Sequence, residues 1–390
     1  MASIESPREV RPLVSAVTGT NGKTSVATAT FQLMNSIGWP AASYNSTGIT
    51  GVDGVLHKAN TRRSPDYLPD LIEYQRRRGA VAVSLEAYVG ILADGLFERV
   101  DVDAAVSTGF ERDHLDVHKS IDAYWAAKLR LFEEYLRPDG VGVLTTKSAQ
   151  ANLVRAAIGR RGARLLEVGE GGEIDFTPDS ESDGKLRGRL EIDGRAYEAV
   201  LPTVHAVAAT NLLLAGAAVV GLGGEPQAVV DALALVTPPP GRLQVIAERD
   251  GVIGIVDTAH NPGALRAALR SVRPRVGGRL LLVFGAGGGR DVGKRFEMGE
   301  IASDLADIVI ITDDNPRHES PERIRGDVRA GSPRSIEIPR RKDAILAAIF
   351  MARPGDVVLV AGMGDEEYQH VGGERIPHDD REIIREAMSI

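Results

Sequence analysis

An apolar run, a tight turn and an amphipathic helix follow one another near the start of the sequence, and this combination restricts the fold most. Residues 14–17 have strand character and residues 18–22 have the composition of a turn. The helical spacing of apolar residues then continues until Gly38 and Pro40 stop it. A strand that leads through a short turn into a helix is the repeating unit of parallel α/β folds.

The turn also has the chemistry of a phosphate-binding loop. Backbone N–H groups at a helix N-terminus point at anionic oxygens, Lys23 can reach terminal phosphates, and the Thr24 hydroxyl suits Mg²⁺. The usual pattern has glycine five residues before Gly22, where this sequence has Val17, so an ordinary strand–turn–helix is the alternative. The candidate nucleotide contacts are Gly19, Thr20, Asn21, Gly22, Lys23, Thr24 and Ser25.

Composition excludes several classes of protein. The 390 residues are 43% hydrophobic and 26% charged, enough for two or three domains with real cores. No signal peptide or bilayer-length apolar run is present, so we expect a cytoplasmic protein without a membrane partner. The absence of cysteine removes thiolate metal sites and a cysteine nucleophile. A net charge of −8 without a long basic run argues against nucleic-acid binding, while a homo-oligomer stays open.

Strand-length apolar runs alternate with helical stretches, as in parallel α/β sheets. We predict a P-loop ATPase domain with a parallel sheet at residues 1–237 and a Rossmann-like α/β domain at residues 238–390. The boundary is the stiff connector Thr237-Pro-Pro-Pro-Gly241. Short Gly- and charge-rich segments at about 160–200 predict a small antiparallel excursion. The predicted strands are Leu13–Val17, Val81–Leu85, Val102–Val106, Val141–Leu144, Val252–Val256, Leu280–Phe284, Ile308–Thr312 and Val357–Val360.

Polar or glycine-rich clusters follow several of these strands directly. Ligands of open parallel sheets bind at the carboxyl ends of the strands. We therefore expect the clusters to share one edge of each sheet and to border a cleft. They are Glu86, Asp113-His114, Asp257–Pro262, Gly285–Asp291, Asp313–Arg317 and Gly362–Glu366.

Lys128 lies on the apolar face of a predicted helix that Ser120 opens. Snorkelling of the ammonium to water is the plainer interpretation of such a lysine. The functional alternative is a desolvated lysine that is available for chemistry or modification. The residues of this face are Ile121, Trp125, Lys128, Phe132 and Tyr135.

A hard-metal site is a further hypothesis, with Thr24, Glu86 and His114 as ligands. Each residue alone is a weak signal, because a strand-end carboxylate often caps a helix and a lone histidine is usually a satisfied polar residue. His114 and His118 at i, i+4 would also suit Zn²⁺ on a helix. No glutamate follows His114, however, and the phosphate loop favours Mg²⁺.

The second half of the chain offers groups that recognise charged small molecules. The guanidinium of Arg242 or Arg317 can bind two oxygens of a carboxylate or phosphate at once. Glu366, after a glycine turn, could bind an ammonium group. An arginine and a glutamate in one pocket would recognise an amino acid, although helix caps and turn residues are the alternative for each of these positions.

The whole set of motifs resembles the Mur ligase family, ATP-dependent amide-forming enzymes of peptidoglycan synthesis, and is most similar to the diaminopimelate-adding type. The matching segments follow the family order over most of the chain. They are Thr18–Thr24, Arg112–His118, Ala126–Leu129, Pro240–Arg242, Asp257–Pro262, Phe284–Asp291, Thr312–Arg317 and Gly362–Gln369.

This resemblance implies a role for each candidate residue. The catalytic residues would be Lys23, Glu86, His114 and Lys128. The Mg²⁺ ligands would be Thr24, Glu86, His114 and Lys128, the last after carbamylation. ATP would contact the phosphate loop together with Asn211, Arg242, His260 and Asn261. The incoming amino acid would contact Arg290, Asp314, Asn315, Arg317, Gly362 and Glu366.

Some positions depart from the family pattern. The family's N-terminal uridine-nucleotide domain, roughly a hundred residues long, is expected to be missing, because Leu13 already begins the first predicted strand. Ala87–Gly90 stands in place of a Ser-Ser-His run, Gly109 and Ala208 stand in place of asparagines, and Thr145–Ser148 replaces Asn-x-Asp-Asp. We therefore expect a carboxylate substrate that is not linked to UDP.

The predicted function is an ATP- and Mg²⁺-dependent carboxylate–amine ligase that acts through an acyl phosphate. Its two small-molecule partners would be that carboxylate and an amino acid, diaminopimelate-like or another amino dicarboxylic or diamino acid, in specialised peptide biosynthesis. Two alternatives remain open: a polyglutamate-type ligase that extends a polymer, and a non-catalytic nucleotide-binding subunit.

Overall fold

The computed structural model describes residues 11–57, 64–111 and 120–389. These residues form two compact units. The first holds the residues up to Glu111 and those from Asp122 to Thr237, and the second holds Ser120, Ile121 and the residues from Pro238 onward. The division after Thr237 therefore falls within the proline connector.

The first unit is built around one large sheet. Its strands are β1 (Leu13–Thr18), β2 (Ala41–Asn45), β3 (Gly48–Thr50), β4 (Leu56–His57), β5 (Ala82–Glu86), β6 (Val102–Ser107), β7 (Leu136–Thr145), β8 (Arg164–Val168), β9 (Ile174–Ser182), β10 (Lys185–Ile192) and β11 (Arg195–Leu201). Its α-helices are α1 (Lys23–Ser36), α2 (Tyr67–Arg77), α3 (Val89–Ala93), α4 (Ile121–Arg130), α5 (Ala151–Arg161), α6 (Ala206–Gly221) and α7 (Pro226–Leu233), and a π-helical turn covers Leu131–Tyr135.

Within the described residues, these strands pair in the order β11-β10-β9-β8-β7-β6-β1-β5-β2-β3-β4. The central strands are parallel, and β1 lies between β5 and β6. Val17 of β1 pairs beside Glu86 of β5, and Thr18 pairs beside Ser107 of β6. The turn after β1 therefore begins at the carboxyl edge of the sheet, between the ends of two neighbouring strands.

Antiparallel strands lie in the region of the predicted excursion, and they are part of the main sheet. β9, β10 and β11 form an antiparallel meander, which joins the parallel strands through the pair β8–β9. The hairpin strands β2, β3 and β4 at the other edge were not predicted. The segment Ala41–Asn45 has small and polar residues rather than the apolar run that marks a buried strand.

Each face of this sheet has its own hydrophobic core. On one face, Leu33 of α1 and Leu214 of α6 pack against strand residues such as Val17. On the other face, Phe97 and Phe132 pack against strand residues that include Leu85. Strands that are buried on both faces are expected to be continuously apolar, which is why the sequence located them well.

The second unit is a smaller α/β fold. Its strands are β12 (Gln244–Arg249), β13 (Val252–Asp257), β14 (Leu280–Phe284), β15 (Ile308–Ile311), β16 (Ile336–Glu337), β17 (Val357–Ala361), β18 (Tyr368–Val371) and β19 (Glu374–Pro377). Its α-helices are α8 (Pro262–Val272), α9 (Gly293–Leu305), α10 (Pro321–Gly331), α11 (Arg341–Met351) and α12 (Asp380–Ser389), and a 3₁₀ turn covers Arg273–Arg275.

Six of these strands pair in the order β12-β13-β17-β14-β15-β16, and β18 and β19 form a separate hairpin. The strands β13, β17, β14, β15 and β16 are parallel, as in a Rossmann-like sheet. Two helices begin at a capped proline: Asn261 accepts a hydrogen bond from Ala264 N at 2.9 Å, and Ser320 caps α10 in the same way. The predicted α/β class is thus confirmed. Within the described residues, no helix is long and apolar enough to cross a membrane.

Candidate functional site

The loop between β1 and α1 depends on two glycines. Gly19 has φ 147° and Gly22 has φ 85°. A Cβ on Gly19 would lie 1.9 Å from Thr108 Oγ1, and a Cβ on Gly22 would lie 2.7 Å from Asn211 Oδ1. Both distances are too short for a real contact, so the loop needs glycine at each position. Asn211, predicted as a nucleotide contact, therefore lies against the start of α1.

Backbone and side-chain contacts hold this loop in place. Thr20 N donates to Gly109 O at 2.9 Å, and Asn21 Nδ2 donates to Glu111 Oε2 at 3.0 Å. The ammonium of Lys23 turns back over the loop and donates to Thr20 O at 2.9 Å. Ser25 follows in the first turn of α1. A fixed loop at a helix N-terminus with a lysine above it is the arrangement that binds phosphate groups.

Thr24, Ser46 and Glu86 bring oxygen atoms together beside the loop. Thr24 Oγ1 donates to Glu86 Oε2 at 2.9 Å and lies 2.9 Å from Ser46 Oγ. Ser46 N also donates to Glu86 Oε2, at 3.0 Å. Thr24 and Glu86 are buried. Hydroxyl and carboxylate oxygens are hard donors of the kind that Mg²⁺ prefers, so the residues present fit that ion.

Of the predicted metal ligands, the structure brings Thr24 and Glu86 together within the described residues. His114 lies outside the described residues. Among the residues that the structure does describe, no three histidine, cysteine, aspartate or glutamate side chains gather closely enough to hold a metal ion. The fit to Mg²⁺ therefore rests on the Thr24 hydroxyl and the Glu86 carboxylate.

Lys128 is buried, with 1% of its surface exposed, so the snorkelling interpretation was wrong. Its Nζ lies 4.1 Å from the centroid of the Tyr124 ring and 5.5 Å from that of Phe110. Nζ also donates to Thr20 Oγ1 at 3.3 Å. The aromatic faces offset part of the cost of burying the ammonium, and the contact with Thr20 places Lys128 against the phosphate loop.

In the second unit, the predicted clusters lie at one edge of the sheet. Asp257, at the end of β13, pairs beside Ala361 at the end of β17, and Gly362 N donates to Asp257 O at 3.0 Å. Phe284, at the end of β14, pairs beside Ile311 at the end of β15. The loops that follow these four strands carry the candidate residues.

Asn315 and Glu366 meet directly, although they are 51 residues apart in the sequence. Asn315 Nδ2 donates to Glu366 Oε2 at 2.8 Å, and Asn315 Oδ1 accepts from His370 N at 2.7 Å. Burial raises the pKa of Glu366, and the hydrogen bond from Asn315 only partly opposes this shift. The Glu366 residue itself is exposed to solvent, so a carboxylate that the Asn315 amide holds in one orientation is accessible to an ammonium group.

Asp314 and Gly362 form the adjoining wall. Asp314 is 6% exposed, its Oδ1 accepts from Asn315 N at 2.6 Å, and its Oδ2 has no hydrogen-bond partner in the described structure. A Cβ on Gly362, whose φ is 118°, would lie 2.4 Å from Asp314 Oδ2. Glycine is therefore required where the loop after β17 passes the carboxylate.

Arg317 is bound to the glycine turn that follows β14. Arg317 Nη1 donates to Gly288 O at 2.7 Å, and Gly288 N donates to Asn315 O at 2.9 Å. A Cβ on Gly287 would lie 3.0 Å from Arg317 Nη1 and 3.9 Å from Arg290 Cγ. The structure thus brings both predicted arginines to the same turn, next to Asn315.

The predicted nucleotide contacts of the second unit lie at the loop after β13. Asn261 is fully buried and its side-chain oxygen caps α8, which is the structural alternative that the sequence left open. His260 Nδ1 lies 2.7 Å from Thr258 O. Burial raises the pKa of Asp257 despite the nearby charge of Arg242, which places that arginine close to this loop.

Sequence reasoning missed several residues that shape the site. Ser46 contacts Thr24 and Glu86, but it follows the unpredicted strand β2. Gln369 Nε2 donates to Asp314 O at 2.7 Å and so fixes the turn that carries Asn315. Arg341 is buried behind Gly362. Its place in the charged run Arg340-Arg341-Lys342 is typical of solvated surface, so nothing in the sequence marked it.

This fold and site define a nucleotide-dependent α/β enzyme of the P-loop class with a second α/β domain. Comparison with protein families makes the assignment more specific. The Mur ligase middle domain matches residues 17–219, and the Mur ligase, glutamate ligase domain matches residues 241–364. The chain belongs to the Mur ligase family, as the motifs predicted, and it is an ATP-dependent ligase that forms amide bonds.

Individual relatives cover almost the whole chain. A protein of Zymomonas mobilis subsp. mobilis named UDP-N-acetylmuramoyl-L-alanyl-D-glutamate–2,6-diaminopimelate ligase is 40% identical over 97% of this chain and 79% of the relative. The protein of that name from Bradyrhizobium diazoefficiens is 37% identical over 96% of this chain and 79% of the relative.

Solved structures agree with the fold. One described as UDP-N-acetylmuramoyl-L-alanyl-D-glutamate–2,6-diaminopimelate ligase has a TM-score of 0.68 at 33% identity and covers 97% of this chain and 79% of its own. A folylpolyglutamate synthase of Mycobacterium tuberculosis complexed with ADP and AMPPCP has a TM-score of 0.72, covering 91% of this chain and 89% of its own. At 21% identity, the second match supports the fold alone.

Proposed function

We propose that this chain joins the amino group of diaminopimelate, or of a closely similar diamino dicarboxylic acid, to the carboxylate of a second small molecule. The observation that carries the proposal is the hydrogen bond of 2.8 Å between Asn315 and Glu366, with the buried Asp314 beside them and Arg317 on the same turn. This pocket combines carboxylates for an ammonium group with a guanidinium for a carboxylate. The names of the relatives support the same amino acid.

The reaction proceeds in two steps. The acid's carboxylate oxygen attacks the γ-phosphorus of ATP, which gives an acyl phosphate and ADP. The amine then attacks the acyl carbon, phosphate leaves with the electron pair of the C–O bond, and the nitrogen loses a proton. No protein nucleophile takes part, so the protein's contribution is positioning and electrostatic stabilisation.

In the first unit, the phosphate loop and the residues beside it have separate roles in this reaction. The N–H groups at the start of α1 and the Lys23 ammonium offset charge on the phosphates. Thr24, Glu86, His114 and Lys128, the last as a carbamate, would hold Mg²⁺. That ion supplies charge neutralisation on the phosphate oxygens. Tyr124 and Phe110 exclude water around Lys128, since its side chain is buried against their rings.

The identity of the acid is a separate part of the proposal. The expectation of an acid without UDP gains no support from the comparisons, because the relatives are named for UDP-N-acetylmuramoyl-L-alanyl-D-glutamate. We infer that the acid ends in a carboxylate of that kind. The UDP-linked dipeptide and the same muramoyl dipeptide without UDP are the two acids to compare.

ADP release tests the proposal directly. Each acid is supplied with ATP, Mg²⁺ and one amino acid from a series that contains diaminopimelate, lysine and glutamate. We expect diaminopimelate to give the fastest release and a product whose mass is that of acid plus amino acid less one water. Serial addition of glutamate would instead favour the polymer-extending alternative, and ATP binding without ADP release under every condition would favour the non-catalytic one.

A further inference from the structure

Arg341 is a buried cation with one terminal guanidinium nitrogen that has no hydrogen-bond partner in the described structure. It is 1% exposed, and its Nε and Nη2 donate to the two carboxylate oxygens of Asp380 at 2.9 and 2.7 Å. Nη2 also donates to Ala361 O at 2.9 Å. Nη1 is buried and has no hydrogen-bond partner among the described residues. A buried donor without a partner costs free energy, so its persistence needs an explanation.

A second buried atom without a hydrogen-bond partner lies near Gly362. Asp314 Oδ2 is the buried acceptor that also lacks a hydrogen bond. A Cβ on Gly362 would lie 2.4 Å from Asp314 Oδ2 and 3.9 Å from Arg341 Nη1. The Arg341 cation and the Asp314 carboxylate therefore both face the small volume that glycine leaves open at position 362. Their opposite charges attract each other across it.

Electrostatics connect Arg341 to the second carboxylate of the pocket as well. Burial lowers the pKa of Arg341, but the charges of Asp380, Asp314 and Glu366 outweigh this effect and raise it. Between the two acids the interaction is unfavourable, since the charge of Asp314 contributes to the raised pKa of Glu366. The positive charge of Arg341 offsets this repulsion between the two carboxylates.

We propose that Arg341 is a positioning residue of the amino-acid pocket, whose positive charge keeps Asp314 directed past Gly362 so that Asp314 and Glu366 together receive the ammonium group of the amino acid. Arg341 does not need to touch the amino acid for this role. The assignment rests on the proposed function of the pocket. It adds a residue from α11, outside the loops that carry the other candidates.

A purely structural role is the competing explanation, because the ion pair of Arg341 with Asp380 joins α11 to α12. Three variants separate the two roles. Asp380→Asn weakens the ion pair but leaves the charge of Arg341. The pair variant Arg341→Met with Asp380→Leu replaces both ions by apolar groups, a change that buried ion pairs often tolerate. Arg341→Lys keeps the charge.

The readouts are the KM for diaminopimelate, the KM for ATP and kcat. In the pair variant we expect the KM for diaminopimelate to rise about tenfold or more, with the KM for ATP changed less than about twofold. Arg341→Lys should recover most of the loss. Asp380→Asn should lower the unfolding temperature with little effect on the KM for diaminopimelate. Asp314→Asn should raise that KM strongly in the wild-type chain and only weakly in the pair variant.

Three results would each overturn the assignment. The first is an unchanged KM for diaminopimelate in the pair variant, and the second is a rise of that KM in Asp380→Asn as large as in the pair variant. The third is that Asp314→Asn raises the KM by the same factor in the wild-type chain and in the pair variant. If the wild-type chain does not use diaminopimelate at all, the proposed function fails first. The coupling is then measured without substrate, from urea unfolding of the wild type, the pair variant, Asp314→Asn and their combination. Non-additive changes in the free energy of unfolding support the link between Arg341 and Asp314, and additive changes refute it.

Discussion

The Thr24 hydroxyl donates a hydrogen bond of 2.9 Å to the Glu86 carboxylate, although 62 residues separate them in the sequence. Parallel pairing of β1 with β5 explains the contact, because Val17 lies beside Glu86 at the edge where the phosphate loop begins. The loop and the carboxylate are therefore positioned by the same pair of strands. Changes at either residue should act on the same step, the transfer of phosphate.

Glu86→Gln tests this cluster. Glutamine keeps the size of the side chain and can still accept hydrogen bonds from Thr24 and Ser46 N, so the fold should be preserved. It removes the negative charge that fits a bound cation, and we expect ADP formation to fall by about a hundredfold or more. The half-buried Glu73, which pairs with Arg76, is the matched control, and Glu73→Gln should leave the rate unchanged. A rate near that of the wild type in Glu86→Gln would contradict the assignment.

We expect activity to require the Lys128 amine, because the amine forms the proposed carbamate. Lys128→Ala should abolish ADP formation, and Lys128→Arg should do the same, because arginine keeps the charge but cannot form the carbamate. Removal of carbon dioxide and bicarbonate should slow the wild-type chain, and their return should restore it. The exposed Lys147 provides a control, since Lys147→Ala should have normal activity. Full activity of the Lys128→Ala variant would eliminate the carbamate hypothesis.

Gly22→Ala should weaken ATP binding. Its Cβ would lie 2.7 Å from Asn211 Oδ1, and the φ of 85° adds strain of about 1–2 kcal/mol. Gly38 is a close control, because its φ is 87° and a Cβ there would meet nothing within 4 Å. Both variants should lower the free energy of unfolding, but only Gly22→Ala should raise the KM for ATP. Equal KM values for ATP in the two variants would show that the contact at the loop is unimportant.

Glu366 should give amino-acid binding a characteristic pH dependence. Burial raises the pKa of Glu366, so protonation begins at a higher pH than for an ordinary glutamate. The KM for diaminopimelate should therefore rise as pH falls through this raised pKa, since the protonated acid no longer attracts an ammonium group. The sign for stability is opposite: the folded state binds the proton more tightly than the unfolded state, so protonation of Glu366 favours folding.

The variant Glu366→Gln isolates this effect. It should have a higher KM for diaminopimelate near neutral pH and should lack the rise on the acid side. The KM for ATP serves as an internal reference, because it should change little in the variant. An acid limb of the same shape in the wild type and in Glu366→Gln would assign the titration to another group.

The sequence was most informative where one local signal was sufficient. Strands such as Leu280–Phe284 are buried on both faces and read as continuous apolar runs, so their positions were predictable. Glu86 could be placed at the sheet edge because it follows such a run. Asn315 and Glu366 could be assigned to one pocket through the family resemblance, whereas their direct hydrogen bond is a product of tertiary packing.

Other features could not be read from the sequence, since they depend on burial by distant segments. Lys128 occupies a helical face that fits either snorkelling or burial, and only the rings of Tyr124 and Phe110 decide between these. Arg341 belongs to a charged run, yet Asp380 from the last helix compensates its charge in the interior. Ser46 follows a strand that lacks an apolar run.

The most direct test of the central claim is the rate of ADP release as a function of diaminopimelate concentration, with ATP, Mg²⁺ and UDP-N-acetylmuramoyl-L-alanyl-D-glutamate or its UDP-free dipeptide. We predict saturable stimulation by diaminopimelate with at least one of these acids, together with a product formed from one acid and one amino acid with loss of water. If no diamino or dicarboxylic amino acid stimulates ADP release with any acid, the pocket formed by Asn315, Arg317 and Glu366 does not select the proposed amino acid.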